Sequence, residues 1–244
     1  KLAASAVLLS ACGGRVTPVA TPVPDGEDGD QDAPAPEPTV MPTATEAPIR
    51  AQGTADELGN VLTPYDAVAG YTNYYEFTTN KERVAGLASH FVTSPWLVQV
   101  GGLVNKPSAF DLDDLRAFEA EERIYRMRCV EGWSAIGSWT GTPLRDFLKI
   151  IGADSRAKYC WFQCADAEGY NSPLDMATAL HPQTQMTFKF GDEILPRAYG
   201  FPMKIRVPTK LGFKNPKYVI SMEVTNDYKG GYWEDMGYNS FSGS

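Results

Sequence analysis

The sequence predicts an α+β domain, built from mixed and mostly antiparallel sheets with a few short helices, that follows a polar N-terminal segment. Six runs rich in β-branched and aromatic residues lie after residue 54 and are typical of strands. Three short helical patterns lie among them, too few for the regular alternation of strand and helix that a doubly wound sheet requires. All of the low-complexity sequence precedes residue 55.

Residues 1–12 are typical of the end of a secretory signal: one base, an apolar run and then small residues before Cys12. The apolar run is about half as long as the roughly 20 residues that a membrane-spanning helix needs. The stretch from Leu9 to Gly13 resembles a bacterial lipobox, which predicts lipidation at Cys12. The alternative is an ordinary signal peptide cleaved nearby. We therefore expect an extracytoplasmic protein that is lipid-anchored to the cell membrane.

Residues 13–54 are predicted to form a disordered tether. Between residues 13 and 50 lie eight of the 18 prolines and seven acids against two bases, with no aromatic residue. Such a composition cannot bury enough apolar area to offset the entropy lost on ordering. Because this stretch carries about five of the eight net negative charges, residues 55–244 are nearly neutral and give no argument for a nucleic-acid partner. These 190 or so residues are enough for one domain with a substantial core.

The elements of this domain follow from periodicity and from start and stop signals. Asp111 can cap a helix over 112–118, Thr142 can cap a helix that starts at Pro143 and ends before Gly152, and Ser172 with Pro173 can open a helix through residue 180. Gly191-Asp192 is typical of a hairpin turn. The predicted strands are 96–100, 123–129, 158–164, 186–190, 203–207 and 218–224.

With Cys12 lipidated, an odd number of cysteines is left: Cys129, Cys160 and Cys164. Cys160 and Cys164 lie four residues apart in one predicted strand, about 13 Å, too far for a mutual disulfide. Cys129 ends a predicted strand just after Arg126 and Arg128, where a thiolate, the form that binds soft metals, is electrostatically favoured. On composition alone, a small buried hydrophobe is the more common role for such a cysteine.

The run from Glu122 to Trp133 resembles the cysteine loop of the sulfite oxidase superfamily of molybdopterin enzymes, most closely the MsrP type, the periplasmic protein-methionine-sulfoxide reductases. The resemblance extends over about residues 62–224 in several separated motifs. It implies a sulfite-oxidase-like molybdopterin-binding fold. It also implies a Mo-molybdopterin cofactor whose molybdenum is bound by Cys129, which is then the catalytic residue and the metal ligand.

The other motifs imply a set of cofactor-binding residues. Residues 71–77 resemble the motif that touches the pterin, and residues 210–217 resemble a basic loop that holds the phosphate end of the cofactor. Cys164, Tyr199 and Lys204 stand where relatives usually carry threonine, asparagine and arginine. The implied residues are Thr72, Asn73, Tyr75, Glu76, Cys164, Tyr199, Lys204, Asn215 and Lys217.

Alternative roles exist for several of these residues. Lys204 and Lys214 could be ordinary solvated charges, and Tyr199 could be a core aromatic. Arg126, Glu131 and Trp133 could line the substrate pocket because they are adjacent to Cys129, although a strand salt bridge or a buried aromatic is the more common role. The aromatic-rich segment 232–235 could cover a cleft, but packing on the core is more common.

The family resemblance implies an oxidoreductase that transfers an oxygen atom, with small-molecule or protein-bound S-oxides or N-oxides as substrates. No Cys-x-x-Cys-His haem motif is present in the sequence, so we expect electrons from a separate haem- or quinone-linked partner. Val130-Glu131-Gly132-Trp133 follows Cys129, where sulfite-oxidising members have a Gly-Asn-Arg-like run, which favours the reductive direction. The alternatives are a sulfite dehydrogenase-type oxidation and a non-catalytic ligand-binding lipoprotein on the same fold.

Overall fold

The computed structural model describes residues 55–75, 77–166 and 169–243. The proposed signal remnant with Cys12, the proposed tether at 13–54 and Glu76 lie outside the described residues and stay predictions. In the described part of the chain, no helix combines the length and apolar character that crossing a bilayer requires.

The described chain contains short helices and longer strands. The helices are α1 (Tyr65–Ala69), α2 (Val84–Ala88), α3 (Leu112–Arg116), α4 (Leu144–Ile150), α5 (Met176–Ala179) and α6 (Tyr232–Asp235). Two 3-10 turns span Arg197–Tyr199 and Gly212–Lys214. The strands are β1 (Leu97–Gly102), β2 (Ser108–Asp111), β3 (Glu121–Arg128), β4 (Ser134–Pro143), β5 (Tyr159–Cys164), β6 (Asn171–Asp175), β7 (Gln185–Phe190), β8 (Glu193–Ile194), β9 (Lys204–Arg206) and β10 (Val219–Thr225).

The strands form two sheets. The first has the order β2-β1-β10-β5-β6, in which β1 and β10 are parallel and the other pairs are antiparallel. The second has the order β3-β4-β7-β8, with β9 also paired to β7, and is antiparallel throughout its described pairs. One buried cluster includes side chains from both sheets, such as Phe162 and Met222 from the first and Trp139 and Phe188 from the second. The predicted α+β class with mostly antiparallel sheets is confirmed.

All six predicted strands are present, with ends within two residues of those expected. The turn at Gly191-Asp192 joins β7 to β8, whose residues Phe190 and Glu193 pair. Asp111 caps α3 with a complete capping box, and this helix ends at Arg116 instead of residue 118. Cys160 and Cys164 form no disulfide in the described chain.

The helix predicted from Pro143 to just before Gly152 is confirmed as α4, which starts one residue later, but its predicted cap and the other predicted helix start are wrong. Thr142 lies in β4, and α4 begins after Pro143 without a side-chain cap. Ser172 and Pro173 lie in β6, because they pair with β5, and α5 begins only at Met176. Asp175 supplies the cap of α5 by accepting a hydrogen bond of 2.8 Å from the backbone N–H of Thr178. In both cases strand pairing overrides the local signal of a polar residue next to proline.

Strand β4 was missed because it contains glycine, alanine and proline, which have low strand propensities. Its glycines are required by close packing instead. A Cβ at Gly137 would lie 2.4 Å from the ring of Phe190, and one at Gly141 would lie 2.0 Å from the backbone oxygen of Met186. Strand β4 thereby brings β3, which carries the chain to Cys129, into register with β7.

Gly141→Ala should lower the free energy of unfolding by about 1–3 kcal/mol, because the new methyl group meets backbone that cannot move cheaply. The matched control is Gly101→Ala, also in a strand, where a Cβ meets nothing within 4 Å. We expect this control to be neutral or to stabilise by up to about 1 kcal/mol. Urea unfolding of both variants measures the difference, and equal destabilisation would contradict the close packing of β4 on β7.

Candidate functional site

Cys129 lies in the tight connection between β3 and β4. Its backbone N–H donates to the carbonyl oxygen of Trp133 at 2.9 Å, and its own carbonyl oxygen accepts from the N–H of Gly132 at 3.0 Å. Gly132 adopts a φ of 89°, a left-handed conformation that favours glycine. The hairpin therefore holds the thiol in a fixed position at the end of β3.

The side chain of Asn73 connects the thiol to an indole ring. Its Oδ1 atom accepts a hydrogen bond of 2.7 Å from Nε1 of Trp133 and lies 3.6 Å from Sγ of Cys129. The ring of Trp133 also packs edge-on against Tyr71 at 5.2 Å. Segment 71–75 and the hairpin at Cys129, which are more than 50 residues apart in the sequence, thus form one wall.

The expectation that Arg126 and Arg128 favour a thiolate at Cys129 is wrong. Burial raises the pKa of this thiol above its usual value, and the cations that oppose this effect are Lys81 and Lys217. Alternate residues of a strand point to opposite faces, so the two arginines point away from the face of Cys129. Arg126 instead donates to the hydroxyl of Ser134 at 3.2 Å.

Cys129 borders a cleft that is open to solvent. Concave sites of this kind are where small molecules and cofactors usually bind. Most of the residues implied by the family motifs line it. Those residues are Thr72, Asn73, Tyr75, Tyr199, Lys204, Asn215 and Lys217.

Cys164 is not among the residues that line the cleft. It is buried at the end of β5 with 2% of its surface exposed, so a contact between its side chain and a ligand in the cleft stays a prediction. Asn215 lines the cleft, but its amide is used within its own loop. Its Oδ1 accepts from the N–H of Val207 at 2.8 Å, and its Nδ2 donates to the oxygen of Leu211 at 3.0 Å.

Lys217 connects its own loop to two other segments at the inner wall of the cleft through hydrogen bonds. Its ammonium group donates to Oγ1 of Thr72 at 3.0 Å and to the backbone oxygens of Asn73 at 3.2 Å and Ala198 at 2.7 Å. Tyr199 is a buried aromatic, one of the two roles considered for it, and it also lines the cleft. Its hydroxyl donates to the backbone oxygen of Tyr71 at 3.0 Å.

Lys204 is not a solvated charge, because only 2% of its surface is exposed. Its ammonium group lies 5.6 Å from the ring centroid of Tyr199 and forms no hydrogen bond or ion pair with the described part of the chain. Burial, with the charges of Arg206 and Lys217, holds the pKa of Lys204 well below its usual value. An unpaired buried cation is costly, which points to an anion that completes the site.

Lys214 is buried as well, but it does not line the cleft. Its ammonium group donates to the backbone oxygen of Pro173 at 2.6 Å and forms an ion pair with Glu234 of α6. This ion pair fixes α6, and Trp233 of α6 lines the cleft. The segment 232–235 thus packs on the domain and borders the cleft, so both roles considered for it are present.

The mouth of the cleft carries a small polar and aromatic network. Glu131 forms an ion pair of 2.6 Å with Lys81 and accepts a hydrogen bond from the hydroxyl of Tyr75. The ring of Tyr75 packs edge-on against Trp233 at 5.7 Å. Glu131 and Trp133 therefore line the cleft, whereas Arg126 does not.

Comparison with protein families gives a match over residues 86–233 to the oxidoreductase molybdopterin binding domain. The chain belongs to this family. Its membership confirms the resemblance to the molybdopterin enzymes of the sulfite oxidase superfamily, and the family's cofactor is Mo-molybdopterin.

Two relatives carry names that refer to methionine sulfoxide. A putative protein-methionine-sulfoxide reductase subunit YedZ1 of Azospira oryzae is 56% identical over 147 residues, covering 60% of this chain and 55% of the relative. The protein-methionine-sulfoxide reductase catalytic subunit MsrP of Ralstonia nicotianae is 37% identical over 193 residues, covering 73% of this chain and 58% of the relative.

The fold resembles that of the sulfane dehydrogenase SoxCD from Paracoccus pantotrophus. The TM-score is 0.55 at 17% identity, with 79% of this chain and 60% of that chain covered. At this identity the likeness concerns the fold alone. The chain spans less than two thirds of the length of each of the three proteins.

The residues of the cleft fit a molybdopterin. Such a cofactor combines a soft metal centre with a phosphate group, and the cleft combines the thiol of Cys129 with cationic side chains. Two of these cations, Lys204 and Arg206, are at most 2% exposed, and the buried Nη2 atom of Arg206 has no hydrogen-bond partner in the described chain. A buried donor without a partner is what a missing anion would leave.

Sequence reasoning missed Arg206, which lines the cleft, and Lys81, which pairs with Glu131 at its mouth. Arg206 follows Lys204 by two residues in a predicted strand, so the alternation of strand side chains could have identified it. Lys81 carried no such signal, because only its ion pair with Glu131 brings it to the mouth of the cleft.

Lys204 should make the cofactor-free protein more stable as the pH rises. The folded state holds the pKa of Lys204 well below its usual value, so over the range between that lowered pKa and about 10.5 the unfolded chain binds more protons. Lys204→Met removes the cost of burying or deprotonating this ammonium group on folding and should therefore stabilise the protein at pH 7. Its higher free energy of unfolding relative to wild type should approach the wild-type value as the pH rises toward 10. The difference in free energy of unfolding between Lys204→Met and wild type should decrease by about 1.4 kcal/mol for each pH unit in this range.

Urea unfolding of protein made in a host without molybdopterin measures this gap at several pH values. Lys229→Met removes a partly exposed lysine that pairs with Glu223 and serves as the control. A gap between wild type and Lys204→Met that does not change with pH would contradict the buried, unpaired state of Lys204.

Proposed function

We propose that the domain carries Mo-molybdopterin bound through Cys129 and reduces S-oxides or N-oxides by oxygen-atom transfer. The observation that carries this proposal is a partly buried thiol on the wall of an open cleft whose interior holds buried cations. The names of the two relatives, both of which refer to protein-methionine-sulfoxide reductase, favour S-oxides over N-oxides.

When bound, the cofactor supplies a metal that exchanges an oxygen atom with the substrate and passes electrons one at a time. The net reaction consumes one S-oxide, two protons and two electrons, and it yields one sulfide and one water. The two electrons must come from a reductant outside the domain.

The chain's own residues hold the cofactor and shape the pocket. Cys129 would hold the metal as a thiolate, and the positive charges of Lys81 and Lys217 favour that deprotonated form. Asn73 holds Nε1 of Trp133, which fixes the indole ring beside the thiol. The aromatic rings of Trp133, Tyr75 and Trp233 on the cleft suit a thioether-like substrate, because sulfur packs favourably at aromatic ring edges.

The lipobox-like sequence at Cys12 supports an extracytoplasmic location with a lipid anchor. The acidic, proline-rich stretch after it would act as a tether between this anchor and the domain. A domain held at the membrane in this way could receive electrons from a haem- or quinone-linked membrane partner. The word subunit in the names of both relatives agrees with a second protein component.

Cys129→Ser should abolish molybdenum binding. Wild-type protein from a host that makes molybdopterin should contain about one molybdenum per chain by metal analysis, and the variant close to none, because a hydroxyl is a poor ligand for a soft metal. Cys160→Ala, which alters a fully buried cysteine outside the cleft, should keep its molybdenum. A wild type without molybdenum would favour the non-catalytic alternative.

The direction of the reaction can be measured with the same preparation. Oxidation of a reduced dye by a panel of sulfoxides and N-oxides, including free and peptide-bound methionine sulfoxide, should be catalysed by wild type and lost in Cys129→Ser. Ferricyanide reduction by sulfite is the competing assay. Sulfite turnover without sulfoxide activity would establish the oxidative alternative and contradict the proposed direction.

A further inference from the structure

We propose that Arg206, together with Lys204, binds the phosphate group of the pterin cofactor, so that Arg206 is a cofactor-anchoring residue of this chain. The inference rests on the family's cofactor and is independent of the substrate and of the direction of the reaction. Residues 195–208 resemble a family segment, but the resemblance gives Arg206 no role, and its assignment comes from its position and its contacts.

Arg206 is a guanidinium group held rigidly but left with an unused donor. It is 1% exposed, its guanidinium carbon lies 3.9 Å from the ring centroid of Trp139, and its Nε donates to the hydroxyl of Tyr125 at 2.5 Å. Its Nη2 atom is buried and has no hydrogen-bond partner among the described residues. The ring contacts fix the plane of the group while one edge still lacks an acceptor.

Lys204 supplies a second charge on the same side. Residues two apart in a strand share a face, and both Lys204 and Arg206 line the cleft. Of the described residues that line the cleft, Glu131 is the one with a carboxylate, and Lys81 already pairs with it at the mouth. Two buried cations beside each other without a counter-charge are unfavourable, and a dianionic phosphate would remove that cost.

The position of Arg206 also suits the far end of an elongated cofactor. Its partner Tyr125 precedes Cys129 by four residues along β3, which corresponds to about 13 Å in a strand. A ligand that bonds to the thiol with its metal could thus place an anionic group near Arg206. A guanidinium group can donate two parallel hydrogen bonds to a phosphate, whereas Lys204 acts as a point charge.

The test measures how firmly the holoenzyme holds its pterin. Wild type, Arg206→Met, Arg206→Lys and the surface control Lys229→Met are purified from a host that makes the cofactor. Pterin per chain is determined by fluorescence, and its first-order release is followed during dialysis. Arg206→Met should release pterin at least about tenfold faster, because a hydrogen bond to a charged group is typically worth more than a factor of ten. Arg206→Lys should lie between this variant and wild type, and Lys229→Met should match wild type.

Other measurements distinguish cofactor binding by Arg206 from substrate binding and from a purely structural role. If Arg206 instead binds an anionic part of the substrate, Arg206→Met will raise KM with normal pterin retention, which would overturn the proposal. Wild-type release from a folded Arg206→Met with a lowered Tm would show a structural role only and would also overturn it. If Arg206→Met does not fold, the test depends on Arg206→Lys. Faster pterin release from Arg206→Lys than from wild type supports the proposal. Unchanged pterin release, or failure of both variants to fold, overturns it.

Discussion

The structure depends on a cleft in which positive charge is buried beside a thiol. Lys204, Arg206 and Lys217 are all less than 10% exposed and all line the same cavity as Cys129. Lys217 is satisfied by three oxygen acceptors of the chain, but burial of like charges at Lys204 and Arg206 is unfavourable unless an anion joins them, which supports a binding site. The second sheet supplies Cys129 after β3 and the cations Lys204 and Arg206 in β9, and the loop before β10 of the first sheet supplies Lys217.

Backbone geometry, more than charge, fixes the thiol. The hairpin from β3 to β4 closes on Cys129 through two backbone hydrogen bonds, and Asn73 holds the neighbouring indole of Trp133. Burial keeps the thiol protonated in the absence of a metal, since its pKa is raised. In a site of this kind the thiolate would form only when a metal replaces the proton. Because the thiol stays protonated until then, it is less prone to oxidation than a thiolate.

Much of the fold could be predicted from the sequence, because strands rich in valine, isoleucine and aromatic residues have a strong local signal. Strand β4 could not be predicted, because its glycines are required by close contact with the ring of Phe190 and the backbone of Met186, which lie about 45 or more residues later in the sequence. The helix start expected at Ser172 failed for a related reason, as pairing with β5 kept this stretch extended. Most of the implied cofactor residues do line the cleft. Local sequence does not encode the tertiary contacts that bury Lys204, pair Lys214 with Glu234 and place Trp233 at the cleft.

Direct bonding between the sulfur of Cys129 and the metal can be measured by X-ray absorption after Cys129→selenocysteine substitution in the full chain. We expect the selenium edge to show molybdenum as a neighbour of selenium in the purified protein. A spectrum with only light-atom neighbours, in protein that contains about one molybdenum per chain, would contradict ligation by this residue.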